Sequence, residues 1–349
     1  MQAGKLPHDL LERLLADVPH GDHRVVLGPG IGHDAAVIDN GGPSLLVAKS
    51  DPITFATDLI GWYAVHVNAN DVACTGAKPA WFLATILLPE GSTEELAESI
   101  FRQIQDACGS LRIDVVGGHT EVTLGIDRPI VTGSLLGDVP RERLVRPDGA
   151  RPGDAILLTK GIAIEGTSVL AREARDRLTA LGVDAAALTR AVDYVYDPGI
   201  SVVPEARAAC EAAEVHAMHD PTEGGIATAL YEMSEASGVG IAIDTGSIEV
   251  LPETKILCEA ATLDPLGLLA SGSLLIAVAE SEHEMALAAI RSIGVTTERI
   301  GTFVEEGAGV IMVGNTESEI PRFARDEIAR FLSDSGSPRG NQNPEGEAK

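Results

Sequence analysis

Basic residues are scarce in this 349-residue chain: 26 Lys and Arg stand against 52 Asp and Glu, for a formal charge of -26. A nucleic-acid backbone is held by Lys and Arg that displace its counterions, so nucleic acid is excluded as the main ligand. An anionic membrane surface is disfavoured by the same Coulomb argument. Cysteine is scarce too. Cys74, Cys108, Cys210 and Cys258 lie far apart with no C-x-x-C pair. That gives neither a disulfide framework nor a zinc site, and the four are expected to be reduced and mostly buried. No apolar run approaches the ~20 residues of a membrane helix. Asp9, Glu12 and Arg13 interrupt the apolar pattern of the first residues, which is not that of a signal peptide. The expectation is a soluble, cytoplasmic protein.

Several nucleotide and catalytic signatures are missing as well. The P-loop pattern G-x-x-x-x-G-K-[ST] is absent. Gly28-x-Gly30-x-Gly32 runs into a strand, whereas a dinucleotide loop follows a strand and opens a helix. No G-x-S-x-G elbow and no H-E-x-x-H pair occurs, although His33, His66, His119 and His219 sit in or near the polar motifs below. A phosphate ligand would therefore need a divalent cation to make use of the carboxylates.

Hydrophobic residues make up 45% of the chain, enough to offset the entropy of ordering, and the length suits two domains. Apolar residues at 6, 10, 11, 14 and 15 mark a first helix. Ala35–Ile38 and Ser44–Lys49 flank Asn40-Gly41-Gly42-Pro43 and could pair as a hairpin. Residues 61–74 read as a helix and 81–88 as a strand. Ser92-Thr93-Glu94-Glu95 reads as a capping box for the helix carrying Leu96, Ile100, Ile104, Ala107 and Leu111. Residues 113–116 and 129–136 read as further strands. Two prolines and two glycines within 146–154 mark a domain connector, so the expected division is 1–149, 150–334 and a disordered tail over 335–349. Beyond the connector, 155–159 and 274–278 read as strands, and 166–178, 204–213 and 225–237 as helices. The fold class is α/β (α+β).

The residues that suggest chemistry are aspartates beside Gly, Asn, Ser or Thr. They are Asp34 after Gly32-His33, Asp51 after Lys49-Ser50, Asp71 after Asn70, and Asp220 before Pro221-Thr222-Glu223-Gly224-Gly225. Gly117-Gly118-His119-Thr120-Glu121 adds a polar segment after a strand. Mg²⁺ takes oxygen ligands and shares them with phosphate, and glycine lets backbone N–H groups approach an anion at a helix N-terminus. Each residue also has a structural reading. Asp220 could be a helix cap, Asp34 a turn residue, Asp51 a solvated strand end. Asp71 resists that treatment, since a helix face otherwise made of Val and Ala avoids an unpaired charge.

The order of these motifs resembles the aminoimidazole ribonucleotide (AIR) synthase superfamily over about residues 5 to 332, and within it the hydrogenase maturation factors HypE most closely. Thiamine-monophosphate kinases and selenophosphate synthetases are cousins. The resemblance carries Gly32-His33-Asp34-Ala35-Ala36, Ser50-Asp51, Asn70-Asp71-Val72-Ala73, Gly117-Gly118-His119-Thr120, Arg151-Pro152-Gly153-Asp154 and Asp220-Pro221-Thr222-Glu223-Gly224-Gly225. It implies an N-terminal domain that forms a dimeric β-barrel with a second copy, a C-terminal α/β sandwich, and ATP with Mg²⁺ between them. It implies activation of an amide or carbonyl oxygen by phosphoryl transfer on a small-molecule or protein-derived amide substrate. Asp34, Asp51, Asp71 and Asp220 would bind metal, with Asp71 and Asp220 also catalytic. Gly30, Gly32, Lys49, Asn70, Gly117, Gly118, His119, Thr120, Thr222, Gly224 and Gly225 would bind the nucleotide. A non-catalytic ATP-binding maturation partner and a thiamine-monophosphate kinase-like phosphotransferase are the alternatives. Three departures stand out. His33 and His119 replace acids of HypE, which suggests fewer metal ions, since neutral imidazole is a poor Mg²⁺ ligand. The family's terminal cysteine has no counterpart in Gly346-Glu347-Ala348-Lys349, which argues against the cyanide-forming reaction. Selenophosphate synthetases carry a reactive Cys in a Gly-rich loop, and 28–32 has none; Cys74 reads as a packed small side chain.

Overall fold

Alternating burial along Ser44–Ile53 and Ile130–Pro140 puts one face of each strand into a core and the other outside, as expected of an antiparallel sheet covered on one side. The computed structural model describes residues 6, 8–19, 21–53, 56, 58–313 and 318–333. Its strands are β1 (Val25–Leu27), β2 (Ala36–Ile38), β3 (Ser44–Ile53), β4 (Lys78–Pro89), β5 (Asp114–Thr123), β6 (Ile130–Pro140), β7 (Ala155–Thr159), β8 (Val215–His219), β9 (Gly240–Ile243), β10 (Leu275–Val278), β11 (Thr297–Val304), β12 (Val310–Met312) and β13 (Ser318–Glu319). Its helices are α1 (His8–Ala16), α2 (Ile60–Cys74), α3 (Glu94–Leu111), α4 (Ile164–Glu173), α5 (Arg175–Ala180), α6 (Ala185–Asp193), α7 (Val203–Ala212), α8 (Gly225–Ser237), α9 (Pro252–Ala261), α10 (His283–Ser292) and α11 (Glu327–Ser333).

The first six strands form one sheet in the order β1-β2-β3-β6-β4-β5, and β7 to β13 form a second in the order β13-β12-β9-β11-β7-β10-β8. Residues 36–38 and 44–53 do pair as a hairpin. In the second sheet every residue of β7 is buried, because both faces are covered. Ile156 and Leu158 face α8, while Ala155 and Leu157 face α7 and α10. This gives the C-terminal α/β sandwich.

Two local readings change. The cap of α3 is Thr93, whose hydroxyl accepts from the Leu96 N–H, while Ser92 donates to the Pro89 carbonyl. The helix expected over 166–178 starts at Ile164 and breaks at Ala174 into α4 and α5. The expected tail over 335–349 lies outside the described residues.

Candidate functional site

Helix α2 positions the chemistry. Its first face rests on β3 and β6, and its other face meets α7 and β8 of the second sheet. Being covered all round, it is apolar almost throughout, yet His66, Asn68, Asn70 and Asp71 are buried on it. Asn68 is spent on structure: its amide oxygen accepts from the Asp51 N–H and its nitrogen donates to the Ala64 carbonyl. Asn70 is a staple between the units, donating to the Ile200 carbonyl and accepting from the Val202 N–H.

Asp71 faces the Lys49 ammonium of β3 at 2.9 Å, and Asp51 stands 3.1 Å from the same nitrogen. Burial opposes a charged Lys49, but Asp71, Asp51 and Asp34 together outweigh it and raise its pKa. Asp220, 1% exposed at the end of β8, lies against Asp71. Burial and then the Asp220 charge push Asp71 well above the ordinary carboxylate range, and burial and Asp34 raise Asp220 in turn. Two crowded carboxylates of this kind hold a proton unless a cation replaces it. Cys74 is packed as expected, and its thiol also reaches Asp220 Oδ1 at 3.5 Å.

His219 links the two units. Its Nδ1 lies 3.0 Å from Asp34 Oδ2 and its Nε2 2.9 Å from Glu232 Oε2 on α8. Burial alone would strip its second proton, but the two carboxylates outweigh that and hold the ring charged. Asp34, His219 and Asp220 offer ligand atoms within 4.8 Å of one another. With both ring nitrogens occupied by carboxylates, His219 aims Asp34, and the open donors of the cluster are oxygens.

The structure therefore brings Asp34, Lys49, Asp51, Asp71 and Asp220 together. It does not bring Gly117, Gly118, His119 and Thr120 to them within one chain. These lie inside β5 rather than after it, on the exposed edge of the sheet. Asp51 aligns with Gly133, Gly133 with Ala84, and Ala84 with Gly118, so Gly118 sits three strand spacings, about 14 Å, from Asp51. Gly118 also has a pairing reason to be glycine: its φ is +152° and a Cβ would meet the Ala84 carbonyl at 2.1 Å. Gly30 and Gly32 sit in the loop that His33 closes, its Nδ1 3.0 Å from the Gly28 carbonyl, so His33 points back into its own loop. At the start of α8 the Thr222 carbonyl accepts from the Gly225 N–H. The Gly224 N–H donates to Asp326 Oδ2 at 2.6 Å.

Asp326, Glu232 and Glu165 are the charged residues around the site that motif reading passed over. Asp326 also accepts from the N–H groups of Ile328 and Leu269. An acid just before an apolar helix signals the cap of α11, but nothing local signals the reach to α8. Burial raises Glu165, at the start of α4, to about 7.

The AIR synthase related protein N-terminal domain matches residues 32–139 and the corresponding C-terminal domain residues 151–314. The carbamoyl dehydratase HypE of Cupriavidus necator is 32% identical over 319 residues, covering 88% of this chain and 85% of that protein. A crystal structure of a HypE–HypF complex superposes with a TM-score of 0.73 at 26% identity, over 90% of this chain and 99% of the other. The hydrogenase maturation protein HypE in complex with ATP does so at 0.71 and 25%, over 94% and 98%.

Proposed function

The chain belongs to the AIR synthase related family, and on that premise we propose that it is an ATP-dependent enzyme acting on a carboxamide or carbamoyl group. The γ-phosphoryl group of ATP passes to the amide oxygen as ADP and one N–H proton leave. The C–O bond then breaks, expelling that oxygen as phosphate while the second N–H proton is lost and the C–N bond becomes triple, a net dehydration. The observation that carries the reading is the convergence of Asp34, Asp51, Asp71 and Asp220 around the Lys49 ammonium, where α2 meets both sheets. Phosphoryl transfer asks a protein mainly for positioning and charge neutralisation. An all-oxygen donor set suits Mg²⁺. Asp220 Oδ2 is buried and its carboxyl is crowded against Asp71, a condition that a cation would relieve. Asp34, Asp51, Asp71 and Asp220 would hold Mg²⁺, which when bound neutralises phosphate oxygens. Lys49 keeps Asp71 and Asp51 in place and supplies a fixed positive charge. His219 fixes Asp34 and ties the first unit to α8.

The likeness to a carbamoyl dehydratase supports the choice of amide, and the likeness to an ATP complex supports the nucleotide. Gly117, Gly118, His119 and Thr120 meet the ligand from a second copy. Pairing through β5 would cover its exposed Val115, Val116 and Val122, an edge that a lone chain leaves open to aggregation. Gly30, Gly32, Asn70, Thr222, Gly224 and Gly225 shape the loops and helix starts around the nucleotide rather than binding it by charge.

The test is ADP release with Mg²⁺, ATP and an ¹⁸O-labelled carbamoyl compound. The reading expects the label in inorganic phosphate. ATP bound without ADP release across a panel of carboxamides would favour a non-catalytic partner protein instead.

A further inference from the structure

The dehydration proposed above releases two N–H protons, and the residues placed so far do not take them up. Asp34, Asp51, Asp71 and Asp220 are assigned to a cation. Asp71, Asp51 and Asp34 keep Lys49 protonated, and Asp34 and Glu232 keep His219 charged. Asp326 spends its carboxylate on the N–H groups of Gly224, Leu269 and Ile328. Glu165, at the start of α4, differs from all of these, for its carboxyl takes only the hydroxyl of Ser271 as a side-chain donor.

The segment 268–274 sets Glu165 between the two halves of the site. The Ala270 N–H donates to the Thr222 carbonyl, two residues beyond Asp220. Gly272 lies against Ile200, whose Cα a Cβ at that glycine would meet at 3.1 Å. Ile200 in turn is held by Asn70, the chain neighbour of Asp71. Ser271 stands between these two contacts, and its carbonyl accepts from the Glu165 N–H at 3.2 Å. The Asp326, Glu223 and Asp220 charges bear on the Glu165 carboxyl, whose own charge bears on the Tyr63 hydroxyl of α2. Asp220 acts on Glu165 through its charge alone. The two carboxyls therefore stand apart, as a metal-held phosphoryl group and an amide between them require. Glu165 is 6% exposed, more than the 3% of Asp71 and the 1% of Asp220, so a ligand that meets those two acids has depth enough to meet it.

Burial raises Glu165 to about 7, the Ser271 hydroxyl opposes that, and Asp326, Glu223 and Asp220 add to it. A group that titrates near the working pH both takes a proton and gives it up.

We propose that Glu165 is the base of the first step, its carboxylate taking one proton from the amide nitrogen as the amide oxygen attacks the γ-phosphorus of ATP. This rests on the ATP-dependent amide reading above. The N–H pair becomes the second C–N bond, and the C=O π pair moves to the oxygen, which bonds to phosphorus. The bond from phosphorus to ADP breaks, its pair leaving with ADP. The second N–H proton departs with the phosphate, and Glu165 returns its own proton to water before the next turnover.

ADP release from Mg·ATP with acetamide or benzamide, followed across the neutral pH range, tests this. In wild type kcat should rise with pH to a plateau, with half of it reached near pH 7. Glu165→Gln should lower kcat about a hundredfold and flatten that profile, while Mg·ATP still raises its melting temperature as it does for wild type. Glu165→Asp should recover part of the rate. A Glu165→Gln enzyme with the wild-type kcat or the wild-type pH profile overturns the base and leaves the amide reading standing. A second measurement needs no turnover. In the full chain carrying ¹³C-carboxyl glutamate, the signal that Glu165→Gln removes should titrate near pH 7. Its midpoint should move further upward with Mg·ATP than with Mg·ADP, because the γ-phosphoryl group adds negative charge beside it. A midpoint that Mg·ATP leaves unmoved overturns the placing of Glu165. A moved midpoint with no amide-driven ADP release sinks the enzymatic reading, and the base with it.

Discussion

Replacing Lys49 by Met removes the one ammonium that faces Asp71 at 2.9 Å and Asp51 at 3.1 Å. At an effective dielectric of about 20, unit charges at the shorter distance attract by about 6 kcal/mol, and the desolvation of both groups takes back part of that. Removing one partner of a buried pair costs about 3–5 kcal/mol in practice, because the other charge is left uncompensated. Lys49 and Asp71 are 12% and 4% exposed in their side chains, so solvent screening discounts little. Asp71 can take up a proton, which places the expected loss at the lower end of that range. Asp71→Asn leaves Lys49 its contact with Asp51 and should cost less. In the double variant neither charge is stranded at Asp71, so the two losses should fall short of their sum by about 2 kcal/mol. Urea denaturation of the four proteins at neutral pH, free of divalent cations, measures this. A coupling below about 0.5 kcal/mol, the level at which distant sites add, would refute the pairing.

Glu165 gives the pH test. Burial raises its carboxyl to about 7 from the ordinary glutamate value of 4.5, so between those values the native state holds a proton that the unfolded state has lost, and stability falls as pH rises. Wild type should lose up to about 3 kcal/mol relative to Glu165→Gln between about pH 4.5 and 7, and parallel stability curves for the two proteins would contradict it. Asp326→Ala deprives the N–H groups of Gly224, Ile328 and Leu269 of their acceptor. A loss of about 2–4 kcal/mol is expected in chemical denaturation, and a loss under 0.5 would show that α8 does not depend on it. Gly118→Ala drives a Cβ into the Ala84 carbonyl at a φ that L-residues rarely adopt. Sedimentation should show it as a destabilised monomer under conditions where wild type is dimeric, and an unchanged dimer would remove β5 from the interface.

The four aspartates were legible because each sits in a short motif, and Asp71 because an acid on a Val/Ala helix face demands a partner. Lys49 was legible as a neighbour of Asp51, since two residues apart on a strand share a face. The placement of Gly117–Thr120 inside β5 was not legible in the same way. Periodicity stops at Val116 because β5 is an exposed edge strand with no inward alternation to report, so the strand looked shorter and the glycines looked like a loop. Asp326 and Glu232 act across 102 and 13 residues, and the longer of these pairings leaves no local pattern. The orphan atoms of His66 and Trp62 are a property of packing alone. Sequence spacing shows that the two rings share a helix face, but not that His66 Nδ1 and Nε2 and Trp62 Nε1 are buried with no hydrogen-bond partner among the described residues.

The most direct measurement of the account is the change in melting temperature with ATP and Mg²⁺ for wild type and Asp71→Asn. A ligand at about 100 times its Kd adds about 2.7 kcal/mol to the stability of the folded state. The account predicts a clear rise for wild type that needs both ATP and Mg²⁺, and little or none for Asp71→Asn. No rise at millimolar Mg²⁺-ATP, or an equal rise in the two proteins, would contradict the placing of the nucleotide and its cation at the Asp34, Asp51, Asp71 and Asp220 cluster.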